Sequence, residues 1–358
     1  NGIRHAGNLL NLPAALWDAP FHKAARGEPV PHTPIWLMRQ AGRYMAHYRR
    51  MRAGRGFLDL CRDPAAAAEV TCYARDWLGV DAAIIFSDIL VLLEALDLPV
   101  EFTAGDGPVL PKPLRSPRNV DALGDPLQAA ADLGYVYDAI RLTVLGQPSH
   151  IPVIGFCGGP FTLAAYAIEG GGSRQFALTR KFIYREPEAW HRLCGILVTA
   201  ATAYLNKQIA AGASAVQVFE SWLGHLPEPE ARQFVMPHLK QLISQITPGV
   251  PVIAFATHGG HLLELQRDCG ADVVGVDTCT TLTEARTRLG PGTAVQGNLD
   301  PALLLSDLDR VRSGADAVLA AAGGPGHIFN LGHGILKESD PELARALVAH
   351  VHASSSKR

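Results

Sequence analysis

The chain has 358 residues, 48% of them hydrophobic and 18% charged, with a net charge of −2 at neutral pH. That composition excludes a disordered chain, and a charge so near balance excludes a global attraction to nucleic acid or to an anionic membrane surface. The length suits one large α/β barrel or two medium domains.

The first residues, NGIRHAGNLL, lack a basic segment followed by a clean apolar core, so no signal peptide is predicted, and residues 1–30 read as an N-terminal arm. The first apolar run, PIWLM (34–38), delivers Arg39, with Arg43 four residues on and Arg49, Arg50, Arg52 and Arg55 beyond. No acidic residue occurs from Pro29 to Leu58, so positive charge is concentrated just past a predicted strand. Arg39 and Arg43 are expected one helical turn apart, facing a cleft, where guanidinium groups grip carboxylates or phosphates in bidentate fashion. The four later arginines read as a solvated face.

Seven more short apolar runs follow: DAAIIFS (81–87), IPVIGFC (151–157), SAVQVFE (214–220), PVIAFAT (251–257), DVVGVD (272–277), TAVQGN (293–298) and HIFNLG (327–332). Helical patterns lie between them, over 64–78, 186–211, 228–246, 261–269, 282–289 and 303–322. The stretch from Leu142 to Ile168 carries no charge, but Pro148, Pro152, Pro160 and four glycines interrupt it, so it reads as a buried strand with loops rather than a membrane span. The segment 105–126 reads as a surface excursion, EGGGSR (169–174) as a mobile loop or lid, and 353–358 as a disordered tail. Six scattered cysteines without a CxxC pair predict reduced thiols and a cytoplasmic protein.

Apolar strands alternating with helices predict a single (β/α)8 TIM-type barrel with a parallel eight-stranded core, one domain over 1–358. No GxGxxG follows any run, which disfavours an open doubly wound sheet. In such barrels chemistry collects at the strand ends. There stand Arg39, Arg43, Ser87, Asp88, Cys157, Tyr166, Glu220, Ser221, His225, His258, Asp277, Asn298, Asp300 and His333.

These residues carry a resemblance. RQAGRYM (39–45), FSDIL (86–90), GPFTLAAYAIEGGGS (159–173), FESWLGHL (219–226), QGNLDP (296–301) and NLGHGIL (330–336) resemble the signatures of the uroporphyrinogen decarboxylase family. The resemblance implies a cofactor-free, metal-free homodimeric barrel that converts uroporphyrinogen III to coproporphyrinogen III in haem biosynthesis by removing four acetate carboxyls. It places substrate-binding residues at Arg39, Arg43, Asp88, Tyr166, Ser221 and His333, and catalysis at Asp88 and Arg39. The pattern departs at THGG (257–260), where a Lys-Gly pair is expected, at Thr278 in place of Trp, and at Lys337 in place of Pro.

For this chemistry one carboxylate can accept all four pyrrole N–H groups of the macrocycle and stabilise the cation formed when a pyrrole carbon is protonated. Asp88 suits that task; its alternative is to cap the helix after it, unless Ser87 does so. Arg39, with a water, is expected to deliver the proton. Tyr166, Ser221 and His333 are expected to donate to acetate or propionate groups, with Gly332 and Gly334 letting backbone approach the ligand. Phe86, Phe156 and Phe161 face either the macrocycle or the core. Two other readings are a zinc-dependent corrinoid methyltransferase of the same superfamily and a non-catalytic tetrapyrrole-binding protein. His258, His261, Cys269 and Cys279 can be assembled on paper into a zinc site, but their spacing matches no ligand pattern.

Overall fold

A computed structural model describes residues 8–103 and 107–356. Its strands are β1 (Ala83–Ile84), β2 (Glu101–Thr103), β3 (Gly107–Val109), β4 (Val153–Gly158), β5 (Ala215–Phe219), β6 (Val252–Phe255), β7 (Val273–Gly275), β8 (Ala294–Gln296) and β9 (His327–Ile328). Seven form one parallel sheet in the order β1-β4-β5-β6-β7-β8-β9, while β2, just before the predicted excursion, and β3, at its start, make a separate antiparallel hairpin. Each step along the large sheet is to the next of these strands in sequence, the pattern of repeated right-handed βαβ crossovers. The strands are near-continuous apolar runs because helices cover them; β4 and β6 are buried along their whole length.

The expected eighth strand at 34–38 is a bridge rather than a strand. Ile35 pairs only with Phe329, through bonds from Trp36 N to Phe329 O (3.3 Å) and from Phe329 N to Pro34 O (2.8 Å). The physical reason lies in its donors. Pro34 has no N–H, and side chains take all the others but Trp36 N: Ile35 N donates to Asp81, Leu37 N to Gln40 and Met38 N to Asn330. On its other side the segment receives Asp81 N at Ile35 O (2.8 Å).

The helices over Pro64–Leu78 and Leu282–Leu289 match the sequence reading. The first begins at Asp63, whose side chain caps Ala66 N, with Pro64 at the first turn, and ends on left-handed Gly79. The pattern over 228–246 breaks into Glu228–Phe234 and Met236–Ser244, with Pro237 opening the second helix. The long helix Pro187–Ala210 crosses β4, and Gln208 pairs with both backbone groups of Phe156, at 2.9 Å each. Inside the sheet runs a buried polar relay: Trp36 Nε1 donates to Gln296 (2.9 Å), Gln296 donates to Gln217 (3.0 Å), and Gln217 reaches Met38 Sδ (3.7 Å).

Two loop expectations change. The 169–174 loop is tied down: Gly171 bridges Val109, Leu110 N donates to Gly170 O, and Glu169 accepts from Thr179 N and Oγ1. The tail is helical through Ser355, because the helix Pro341–Ser355 buries Ala344, Leu347, Val348 and Val351. Residues 1–7, 104–106 and 357–358 of the predicted arm, excursion and tail lie outside the described residues. No helix among the described residues is long and apolar enough to cross a membrane, and all six cysteines are free.

The segment 32–35 and the last helix meet at Asp81, just before β1. Its carboxylate accepts from His32 Nε2 (3.0 Å), His352 Nε2 (2.7 Å) and Ile35 N (2.8 Å), and Thr33 N donates to Ser355 Oγ beside it. Burial pushes the Asp81 carboxyl up, but the bonds from His32 and His352 outweigh it and leave it below its ordinary value. The hydrogen bond to Asp81 raises His32 against burial. The His32 contribution is complete below the unfolded imidazole value of about 6.5 and is lost as pH rises through its raised folded value. The Asp81 contribution is complete above about 3.9 and is lost as pH falls through its lowered one. Asp81→Asn should therefore destabilise the fold by about 1–3 kcal/mol, more at pH 5.5 than at pH 8.5. Denaturant midpoints at the two pH values check this; an equal or larger loss at the higher pH would refute the His32 share.

Candidate active site

Past Met38 the chain turns sharply. Arg39 adopts φ 64°, in the left-handed region that residues other than glycine rarely enter, and Leu37 O accepts from Gln40 N. Gln40 holds the turn from beneath, its amide bonded to Leu37 N and Ala82 O and its carbonyl to Tyr44 OH. Arg39 and Arg43 therefore lie on a turn; the helix starts only at Ala46, so the expected spacing of one helical turn is corrected. Both are exposed. Arg49 bonds the carbonyls of Arg43 and Tyr44, Arg52 caps Arg55 O and lies over Phe57, and Arg55 pairs with Asp63 at 3.0 Å. Those contacts belong to a solvated face.

Arg39 is aimed by a glycine. A Cβ built on Gly334 would lie 2.5 Å from Arg39 Cδ and 2.8 Å from its Nε, so the side chain rests against the backbone at 334. Likewise Gly332 has its close neighbour in Thr278, 2.5 Å from its would-be Cβ. The two glycines thus make room for protein, where the sequence led us to expect a ligand. From its seat the Arg39 charge reaches three groups chosen from sequence: it lowers Asp88 and Tyr166 and also depresses His333.

Asp88 is half-buried, four residues past Ile84 at the end of β1. One oxygen accepts Leu90 N at 2.8 Å, a local turn before the helix Val91–Ala95 rather than a cap on it, since that helix takes no side-chain cap. Burial pushes its carboxyl up; the Leu90 bond and the Arg39 charge oppose this. Tyr166, half-buried on the helix Pro160–Glu169, is pushed up to about 12 by burial first and the Asp88 charge second, so it stays a hydrogen-bond donor. Burial, then Arg39, lowers His333 and favours its neutral form. Ser221 is half-buried in the turn after β5. Phe161 is fully buried against Phe176 and Trp190, hence core.

Sequence reasoning placed Glu220 at a strand end without giving it a role. Its carboxylate accepts from Phe161 N (3.0 Å), Thr162 N (2.9 Å) and Thr162 Oγ1 (2.9 Å). It caps the Tyr166 helix from the neighbouring strand, where Gly159 has no side chain to do so and a Cβ would strike the Glu220 carboxyl. Burial raises it to about 7 despite those bonds. The signal was present: an acid directly after an apolar strand, and a Gly-Pro helix start with no cap of its own.

Beyond His333 a cavity of about 310 Å³ is walled by Trp222, Thr257, His258, Asp277, Thr278 and His333 among others. The zinc set imagined from sequence does not assemble. His261 bonds Leu226 O, and Cys269 is buried against Met236. Only His258 and Cys279 of that set meet.

Known proteins resemble this chain in sequence and in fold. Residues 18–354 match the family described as "Uroporphyrinogen decarboxylase (URO-D)". The uroporphyrinogen decarboxylase of Myxococcus xanthus (strain DK1622) is 48% identical over 334 residues, 92% of this chain and 94% of its own. That of Nocardia farcinica (strain IFM 10152) is 45% identical over 357 residues, 97% and 99% of the two chains. A solved methyltransferase from Methanosarcina mazei superposes with a TM-score of 0.79 at 20% identity, over 94% of this chain and 98% of that one; at such identity the likeness concerns the fold alone. With its family's profile spanning nearly its whole length, the chain belongs to the uroporphyrinogen decarboxylase family.

Proposed function

We propose that this protein decarboxylates the four acetate side chains of uroporphyrinogen III, giving coproporphyrinogen III for haem biosynthesis, without a cofactor. The observation that supports the residue roles is the seat of Arg39 against Gly334, from which its charge opposes the effect of burial on Asp88 and Tyr166 and adds to it on His333.

Asp88 takes the centre of the macrocycle, its carboxylate accepting the pyrrole N–H groups. A pyrrole carbon is protonated, with Arg39 delivering the proton through a water. The C–CO2 bond then breaks, its electron pair flows into the ring cation, and carbon dioxide leaves. Protonation of the exocyclic carbon gives the methyl group, and loss of the ring proton restores the pyrrole. Asp88 stabilises the cation at its peak, in a site where burial strengthens the interaction. Arg39 and Arg43 grip rim carboxylates, and Tyr166, Ser221 and His333 donate to the remaining arms.

The segment 34–38, bonded to Phe329 on one side and Asp81 on the other, supports reading the sheet as a closed barrel with this segment in the eighth position. Family membership supports a homodimer in the cytoplasm. A single domain over 1–358 fits one sheet tied through Asp81 to His32 and to His352 of the last helix.

An anaerobic assay with uroporphyrinogen III should show stepwise loss of four carboxyls; a clean, folded protein that leaves the substrate intact would sink the proposal. Asp88→Asn should cut turnover by about 100-fold to 1000-fold with normal folding. Because burial raises the Asp88 carboxyl, wild-type kcat/KM should fall on the acid side around a pKa above the ordinary value of about 3.9. That limb should vanish in the residual activity of Asp88→Asn; its persistence there would assign it to another group. Gly334→Val, which must displace Arg39, should lower kcat/KM by about 10-fold or more, and so should Arg39→Ala. Unchanged kinetics in both would remove Arg39 from the site.

A further inference from the structure

Beside the Asp88 cluster, the loops after β6 and β7 bring together His258, Asp277 and Cys279, one ligand atom of each lying within 4.8 Å of the others. The reaction proposed above gives none of them a task. Their geometry is that of a ligand set. His258 Nδ1 lies 3.6 Å from Cys279 Sγ. A tetrahedral zinc ion with its thiolate at about 2.3 Å and an imidazole nitrogen at about 2.0 Å has an S···N edge of about 3.5 Å, close to that separation.

Asp277 holds the other two in place. One carboxylate oxygen accepts His258 N and the other accepts Cys279 N, and each keeps a further lone-pair direction for a cation. Asn298 stiffens the same loop by donating to the carbonyls of Asp277 and Thr280, at 2.8 and 2.6 Å. His258 sits at φ 55°, a left-handed conformation kept where surrounding structure enforces it. Asp277 is buried while His258 and Cys279 are exposed, so an ion has a path in. His258, Asp277 and Thr278 also line the cavity next to His333, which leaves a fourth ligand position open to water or a carboxylate. Both loops are those in which this chain departs from the family pattern, at 257–260 and at Thr278.

We propose that His258, Asp277 and Cys279 bind a soft divalent cation of the zinc type at the wall of this cavity. Binding is an exchange: the Cys279 thiol gives its proton to solvent as the S–Zn bond forms, with His258 as the neutral ligand. The site adds to the decarboxylase reading and does not depend on it.

The test uses the full-length protein, dialysed against chelator and titrated with zinc chloride in a calorimeter. Wild type should take up one equivalent and release protons. Cys279→Ser and His258→Gln should each weaken binding by about 100-fold or more, at or beyond the loss usual for an outer-shell partner. His261→Gln, whose ring bonds Leu226 O instead, should bind as wild type does. With cobalt as probe, thiolate-to-metal absorption should appear in wild type and be absent in Cys279→Ser. Thermal melts of the metal-free variants matching wild type show that the fold is intact. No stoichiometric binding by wild type, or binding that survives either substitution, overturns the proposal.

Discussion

At Asp88 burial disfavours the charged carboxylate, and a backbone hydrogen bond and a neighbouring guanidinium oppose it. Asp88 stands at the end of β1 with one oxygen on Leu90 N, and burial raises its pKa. Arg39 offsets part of that penalty from a distance. The nearby features serve this balance. The left-handed turn at Arg39, the Gln40 side chain beneath it and the bare backbone at Gly334 all fix where one positive charge sits. A guanidinium suits the task because it stays protonated at any working pH and brings its own donors.

Other strand-end acids act as ties between loops. Asp81 joins the segment after the N-terminal arm to the last helix, Glu220 caps the helix of the neighbouring strand, and Asp277 clasps the backbone of His258 and Cys279. Each accepts main-chain N–H groups from a loop, a bridge segment or a helix start that secondary structure leaves over. In a sheet whose strands run from two to six residues, side chains finish the hydrogen bonding that backbone pairing begins. The same economy explains the segment 34–38, which pairs as a bridge because Asp81, Gln40 and Asn330 have taken its amides. Mouth and scaffold are thus built from one kind of contact.

The apolar runs and helix starts were legible because they depend on near neighbours in sequence. Asp63 before Pro64 marks a helix start in any fold, and the 151–157 run is buried wherever helices flank it. Asp88, Tyr166 and His333 were legible as strand-end residues and through motif resemblance. The seat of Arg39 on Gly334 was not, since it joins positions almost three hundred residues apart. The cap on the Tyr166 helix left a signal at each of its two ends, but only the fold joins them, because its acid comes from the following strand. The helical spacing assumed for Arg39 and Arg43 failed because Gln40 locks the chain into a turn before the helix can begin.

By itself the sequence determined the alternation of strand and helix, the family, and the chemical kinds of side chain gathered at the strand ends, because periodicity and short motifs are local properties of the chain. Tertiary structure decided which of those side chains meet. Curling one sheet sets Gly334 under Arg39, Glu220 under the Tyr166 helix, and His258 beside Cys279, contacts that arise only when distant segments share a rim and compete for the same donors.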